Sequence, residues 1–509
     1  MLRILTCLFF VQACIPVLAE SPRNIVVFLI DDLRFDAVGY AGHPFLKTPH
    51  IDRLATNGAN FKNAFVTTSL CSPSRATILT GLYAHSHRVV DNYNPVDKEL
   101  MFFPQLLQTS GYETAFVGKW HMGDDEQPQR GFDHWVSFKG QGIYWPHHTG
   151  LNVKGRYVPQ ATKSGINVNG VNVDQKGYIT DELTDYAVQW LDGRKADKPW
   201  MMYLSHKAVH ADFLPPNRHA YKFKDEAVTL PDNWSTQPAA FKDMPMWVKN
   251  QRNSRHGTEF AYYTDLDLAN YYRRYCETIL AVDDSVGKVT SWLEKSGQLD
   301  STLILFLGDN GFLFGEHGLI DKRCAYEESI RIPMFVHCPD LVKPETVISE
   351  VVANLDVAPT LLEVAGLPVP PQMQGRSMLP LLKGESVAWR DYLLYEYYWE
   401  RNYPQTPTMH AVRGDRFKYV RYHGIWDTDE LYDLKADPLE RTNLANDPQY
   451  ANQVQKMNER LFQILHETDG MELPMVDDVG TKFHHRKIDG SKAAEFHKWM
   501  YRPAGESGK

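Results

Sequence analysis

The sequence predicts an α/β fold: a large mixed, mostly parallel sheet sandwiched by helices, then a smaller C-terminal α+β subdomain. Three observations predict it. Apolar, β-branched runs recur along the chain, and each ends abruptly in acid, amide, lysine or histidine. Segments of helical character lie between those runs. From about residue 390 the texture changes to short strand-like runs and turns. Strands alternating with helices form parallel sheets, and ligands then bind outside the carboxyl ends of the strands.

The elements follow in order. Residues 24–30 are a continuous apolar run ending in Asp31 and Asp32, the pattern of a strand buried on both faces. Thr48-Pro49 opens a helix that closes near Gly58. Ser72 as N-cap and Pro73 at the first helical position start a second helix, which ends at Gly81. Residues 103–110 are helical, and residues 113–118 form a strand that runs into Lys119-Trp120-His121. Residues 141–177, rich in Gly, Asn, His and aromatics, read as long loops over a site, and residues 237–256 are similar. Residues 181–191 and 268–293 are helical. Residues 200–204 form a strand leading to His206, Lys207 and His210, and residues 302–307 form one ending in Gly308-Asp309-Asn310. Asp356 caps a helix that reaches Gly366. Strand-like residues 392–398 and 417–422 and a helix near 453–466 make up the subdomain, before a polar tail beyond Gly470. Four strand ends with complementary chemistry would therefore meet at one sheet edge.

Length and charge bound the function. The 509 residues suffice for one large domain and a smaller one, with expected boundaries 22–385 and 386–509. A net charge of -9 argues against a nucleic-acid or anionic-membrane binder, so positive charge must be focused locally. Residues 1–19 read as a signal peptide, with Arg3, an apolar core at 4–18 and the small-residue exit Val17-Leu18-Ala19. Gln12 and Pro16 interrupt that run, and no later stretch is apolar enough to span a bilayer. The expected location is periplasmic or extracellular, or lysosomal in a eukaryote. Cys7 and Cys14 leave with the signal. Cys71, Cys276, Cys324 and Cys338 are too scattered for a disulfide framework or a zinc site, although one pair stays open.

The candidate chemistry starts at Cys71, a sulfur just before a helix N-terminus, with Arg75 one turn further on. Asp31, Asp32, Asp309 and Asn310 offer only oxygen donors, which suit a hard divalent cation, Ca²⁺ or Mg²⁺. Lys119 is a compact charge for an anionic oxygen, and His121 can move a proton near neutral pH. The stretch from Gly315 to Pro333 adds Lys322, with Glu327 and Arg331 as structural partners and Cys324 as packing.

The stretch Ser-Leu-Cys-Ser-Pro-Ser-Arg-Ala-Thr-Ile-Leu-Thr-Gly at 69–81 resembles the maturation signature of the type I sulfatases, in the alkaline phosphatase superfamily. Gly111-Tyr112-Glu113-Thr114-Ala115-Phe116-Val117-Gly118-Lys119-Trp120-His121 resembles their second signature. The likeness runs from about residue 23 to 447, including Glu430-Leu431-Tyr432-Asp433-Leu434 and Asp437-Pro438. It implies that a maturation enzyme, aerobic or anaerobic, converts Cys71 to formylglycine, whose hydrate attacks sulfur. It implies one Ca²⁺ held by Asp31, Asp32, Asp309 and Asn310 with residue 71 completing the shell. It also implies that Arg75, Lys119 and Lys322 face the sulfate, and that His121 takes a proton when the sulfated enzyme breaks down. His210 resembles the histidine that protonates the leaving alcohol. Many relatives have Pro before that histidine where this chain has Val209, which leaves His206 as the alternative.

Gly131-Phe132-Asp133-His134-Trp135 and residues 322–333 resemble N-acetylglucosamine-6-sulfatases more than arylsulfatases. The expected reaction is exo-type hydrolysis of a 6-O-sulfate on N-acetylglucosamine or glucosamine in a glycan. A rim of Trp145, His147, His148, Tyr157, Trp399 and His410 would suit sugar faces and hydroxyls. His410 is placed in a polar loop after Pro404 and Pro407. Two alternatives remain: a phosphomonoester or phosphonate hydrolase on the same fold, and a non-catalytic glycan-binding relative.

Overall fold

The computed structural model describes residues 22–474, apart from 124–125, 147, 152–156, 160–164, 195–197, 230, 234–241, 253, 255, 259–266, 402 and 425–426. The signal-peptide segment and His147 lie outside the described residues, as do the side chains of His148 and Tyr157.

Strand β1 (Ile25–Ile30) is buried at every position and lies inside a ten-stranded sheet. The other members are β2 (Ala59–Phe65), β3 (Glu113–Lys119), β4 (His134–Phe138), β7 (Gly165–Val168), β8 (Val171–Asp174), β9 (Trp200–His206), β10 (Leu303–Gly308), β13 (Met334–His337) and β14 (Thr346–Ala353). Their order is β14-β2-β13-β10-β1-β9-β3-β4-β7-β8. β10, β1, β9, β3 and β4 run parallel, β13 runs against them, and β7–β8 is an antiparallel hairpin at the edge. Two short hairpins, β5–β6 (His148–Leu151, Tyr157–Pro159) and β11–β12 (Leu313–Phe314, Ile320–Asp321), lie outside the main sheet. β15 (Tyr392–Tyr397), β16 (Thr408–Gly414), β17 (Phe417–His423) and β18 (Glu430–Asp433) form a separate antiparallel sheet.

Helices cover both faces. Val26, Phe28 and Ile30 belong to one apolar cluster with residues of helices Pro49–Thr56, Ile179–Gly193 and Leu268–Lys295. In Ile179–Gly193 the buried Leu183, Ala187 and Leu191 recur every fourth residue, the stripe a core-facing helix needs. Ile25, Val27 and Leu29 point to the opposite cluster, with Ile78, Leu107 and Leu361 from helices Cys71–Thr80, Phe103–Thr109 and Val357–Val364. The four-stranded sheet shares this second cluster through Leu393, Met409, Tyr419 and Leu431. Each such side chain, fully buried, contributes about 1.5–3 kcal/mol.

Several sequence expectations are corrected. The helix after Leu70 begins at Cys71 rather than after Ser72, because the Ser72 hydroxyl donates to the His121 carbonyl instead of capping. The 141–177 region contributes β7 and β8 to the main sheet, and 237–256 includes helix Met246–Gln251. His410 lies in β16, not in a loop. All four described cysteines are free and buried.

Candidate active site

The ends of β1, β10, β9 and β3 meet as the topology requires. Ile30 is in register with both Gly308 and His206, so the residues after each strand emerge together. The Asp309 amide donates to the Ile30 carbonyl at 3.0 Å, and the Asp32 amide donates to Asp309 Oδ1 at 2.9 Å. Asp31, Asp32 and Asp309 each place a carboxylate oxygen within 4.8 Å of the others. Asn310 Nδ2 donates to Asp32 Oδ1 at 2.7 Å. Asp32 takes a left-handed backbone, φ 54°, which turns its side chain back into the cluster.

Cys71 enters from the start of its helix. Its thiol lies 3.4 Å from Asp31 Oδ1 and 3.4 Å from Lys322 Nζ. Lys119 pairs with Asp31 and Lys322 with Asp32, all fully or almost fully buried. Burial, then the Asp31 carboxylate, pushes the Cys71 thiol up to about 12, outweighing both lysines. The residue is therefore a protonated thiol at neutral pH, and the helix N-terminus does not make it a thiolate.

Arg75 behaves differently from a substrate-facing cation. Its Nε and Nη2 donate to Asp309 Oδ2 at 3.0 and 2.7 Å. Nη1 donates to the Lys119 carbonyl and to Ser205 Oγ, both at 2.7 Å. The guanidinium is 1% exposed, so it clamps three strand ends together.

The carboxylates are under strong and opposite pressures. Burial raises Asp31, but Lys119, His210, Arg75 and Lys322 together hold it well below the usual carboxylate range. Burial and the neighbouring Asp31 push Asp309 up to about 7 despite Arg75. Asp32 Oδ2 and Asn310 Oδ1 are buried with no hydrogen-bond partner among the described residues. Orphaned hard oxygens beside an acid trio fit a calcium-type cation, which takes six to eight oxygen ligands.

The two site histidines are neutral at pH 7. Burial, then Lys119 and Arg75, holds His121 well below its ordinary value. Burial lowers His210 to about 4, with Asp32 opposing. His210 Nδ1 lies 2.6 Å from the Ala211 carbonyl and so carries the proton, which leaves Nε2, 3.9 Å from Asp32 Oδ2, free to accept one. Tyr144 fixes this loop by donating to the His210 carbonyl at 2.7 Å.

A pocket of about 380 Å³ opens from this cluster, lined by Asp32, His121, His210 and Lys322. Its outer wall uses residues that the sequence reading missed: His256, Asp321, Arg323 and Tyr403, with Asn92, Tyr93 and Gln141. His256 Nδ1 pairs with Asp321 Oδ2 at 2.6 Å, and the Arg323 guanidinium lies 3.7 Å from the Tyr403 ring centroid. Arg323 is further fixed by Glu400 at 2.8 Å. The available signal was weak: Asp321 and Arg323 flank Lys322 in sequence, whereas His256 and Tyr403 arrive from distant segments.

Two expected substrate residues are not brought to this pocket. His206 is fully buried behind the sheet, its Nε2 2.9 Å from Ser285 Oγ on helix Leu268–Lys295. His410 is 2% exposed, and its Nδ1 bonds His423 Nε2 at 2.9 Å. Its other nitrogen faces Tyr398 and Glu396, so pairing of β16 between β15 and β17 takes it out of reach of solvent. Trp399 is half exposed, and Trp145 packs on Tyr178. Glu327 pairs with Arg413 and Lys418, and Cys324 packs in the core. Among the described residues no helix is long and apolar enough to cross a membrane.

Comparison with known proteins completes the picture. A family model described as Sulfatase matches residues 23–367, and one described as N-sulphoglucosamine sulphohydrolase, C-terminal, matches 315–467. The chain is 33% identical over 507 residues to an N-acetylglucosamine-6-O-sulfatase of Bacteroides thetaiotaomicron, covering 88% of this chain and 87% of that one. It is 30% identical over 523 residues to the N-acetylglucosamine-6-sulfatase of Homo sapiens, covering 92% and 90%. A solved structure of a protein in complex with its substrate D-glucosamine-2-N,6-O-disulfate superposes with a TM-score of 0.79 at 29% identity, covering 90% of this chain and 100% of that one.

Proposed function

We propose that this chain, which belongs to the sulfatase family and so hydrolyses sulfate esters, removes a 6-O-sulfate from an N-acetylglucosamine or glucosamine unit of a glycan. The observation that carries the reading is Cys71, fully buried and held 3.4 Å from both Asp31 and Lys322, behind the pocket that Asp32, His121, His210 and Lys322 line. The names of the relatives support the sugar.

Asp31, Asp32, Asp309 and Asn310 would hold Ca²⁺, which supplies positive charge for the sulfate oxygens. Formylglycine made from Cys71 supplies an oxygen nucleophile, which a thiol pushed up to about 12 does not. Lys119 and Lys322 flank residue 71 and stabilise the anion as negative charge shifts toward the leaving oxygen. Arg75 positions Asp309 and the Lys119 strand end rather than touching the sulfate. His210, whose Nε2 is free to accept, would take up the proton released by the attacking hydroxyl of residue 71 and pass it to the leaving alcohol. His121, neutral in its buried setting, accepts the proton released as the sulfated residue 71 breaks down. His256, Asp321, Arg323 and Tyr403 provide an aromatic face and a fixed set of donors and acceptors for sugar hydroxyls.

The test is sulfate release from defined sulfated mono- and disaccharides, with the matched 6-phosphate as a further arm. The expected result is preference for the 6-O-sulfated glucosamine series. Preference for a galactose, fucose or uronic-acid sulfate overturns the sugar assignment. Preference for the phosphate overturns the sulfatase assignment.

A further inference from the structure

A second donor cluster lies away from Cys71, where the main sheet meets the four-stranded sheet. His317 sits in the tight turn Glu316–Gly318 with φ 55°, Glu328 on helix Glu327–Ile330, and Glu440 beyond β18. Their ligand atoms lie within 4.8 Å of one another. His317 and Glu440 are 0% exposed and Glu328 is 6% exposed.

The charges around this cluster do not balance. Arg34 pairs with Glu316 at 2.8 Å and also with Asp36. Arg413 pairs with Glu327 at 3.2 Å, and Lys418 pairs with Glu327 at 3.2 Å and Glu440 at 2.5 Å. Glu328 faces no paired cation among the described residues, and its Oε2 has no hydrogen-bond partner. His317 Nδ1 is likewise without a partner, while its Nε2 is 3.3 Å from Asn233 Nδ2. Burial, then the Glu316 and Glu440 carboxylates, drives Glu328 well above the usual range. Burial, then Lys418, lowers His317 to about 3. A cavity of about 800 Å³, lined by Glu316, Glu328 and Asn233, offers an entry path.

We propose that His317, Glu328 and Glu440 bind a divalent ion of the zinc type, a second metal site that ties the two sheets together. One imidazole and two carboxylates suit zinc, with a fourth position open toward the cavity. The nitrogen donor disfavours Ca²⁺, which takes oxygen ligands. Two ligands come from neighbouring segments and the third from beyond β18, so the ion would clamp residues 316–318 and 327–330 to residue 440.

The experiment uses the full chain, stripped with chelator, returned to Ca²⁺ and titrated with Zn²⁺ in a calorimeter. The expected result is uptake of about one zinc per chain with a rise in melting midpoint, lost in Glu328→Gln and retained in Cys71→Ala. Anomalous scattering at the zinc edge from crystals of the parental protein places the ion without relying on any variant. Density at His317 supports the proposal. No uptake by the parental protein overturns it. Uptake lost in Cys71→Ala, or density at Asp31 and Cys71, also overturns it, because those residues with His210 form a rival cluster.

Discussion

Arg75→Lys keeps the positive charge at the active site and removes the fork, so it separates the clamp from mere electrostatics. The arginine makes four short hydrogen bonds in two directions: two to Asp309 Oδ2, one to the Lys119 carbonyl and one to Ser205 Oγ. A lysine ammonium is a point donor and cannot reach both groups at once. If it stays with Asp309, the Nη1 pair of bonds is lost, leaving the Lys119 carbonyl with the Ser205 hydroxyl alone as donor. Hydrogen bonds to charged groups contribute about 1.5–3 kcal/mol each, so two lost bonds cost about 3–6 kcal/mol, less whatever the site relaxes. If the lysine instead follows Ser205, Asp309 loses its cation in a fully buried setting, and breaking such a pair costs about 3–5 kcal/mol. Both routes predict a loss of about 3 kcal/mol or more in urea unfolding, read as a shift in midpoint at constant slope. Misplacement of Asp309 and Lys119 should also lower kcat/KM for sulfate release by about 10²-fold. A lysine variant with parental midpoint and parental kcat/KM would refute the clamp, because it would mean that charge alone is enough.

Three further outcomes are expected. Mass spectrometry of the residue-71 peptide from active protein should show formylglycine, and Cys71→Ala should lower kcat by about 10³-fold or more; full turnover with an intact thiol refutes this. Stripping divalent ions should abolish sulfate release and Ca²⁺ should restore it, while Asp31→Asn should impair that rescue without unfolding the protein; unchanged turnover after verified removal refutes the site. His85, with Nδ1 2.8 Å from Glu396 Oε2 and Nε2 2.9 Å from the Thr468 carbonyl, is raised above 6.5 because the Glu396 charge and hydrogen bonds outweigh burial. That contribution is complete below the unfolded value of 6.5 and fades as pH rises through the higher folded value. His85→Asn should therefore destabilise more at about pH 5.5 than at about pH 9 in urea titrations, and an equal loss at both refutes the pairing.

The fold was legible where the backbone alone sets the pattern. β1 reads as a strand because both faces are buried, and its switch from Ile30 to Asp31 marks the sheet edge without any tertiary knowledge. The same holds for β3, β9 and β10, and register then obliges their ends to converge. What was not legible depends on partners far away in sequence. Ser72 looks like a cap until the His121 carbonyl, 49 residues on, takes its hydroxyl. His206 looks like a site residue until Ser285, 79 residues on, holds it behind the sheet. His410 follows two prolines that signal a loop, yet Val412 and Arg413 already continue the strand that buries it. The outer wall of the pocket is the extreme case, since His256 meets Asp321 only because loops fold over a finished sheet edge. Chemistry at strand ends and recognition on loops thus have different sequence signatures. The first is written in consecutive residues, and the second only in pairings such as His256 with Asp321 and Arg323 with Tyr403. If the proposed reading holds, substitution within those pairings should change the preferred sugar in the sulfate-release panel while sulfate release itself persists.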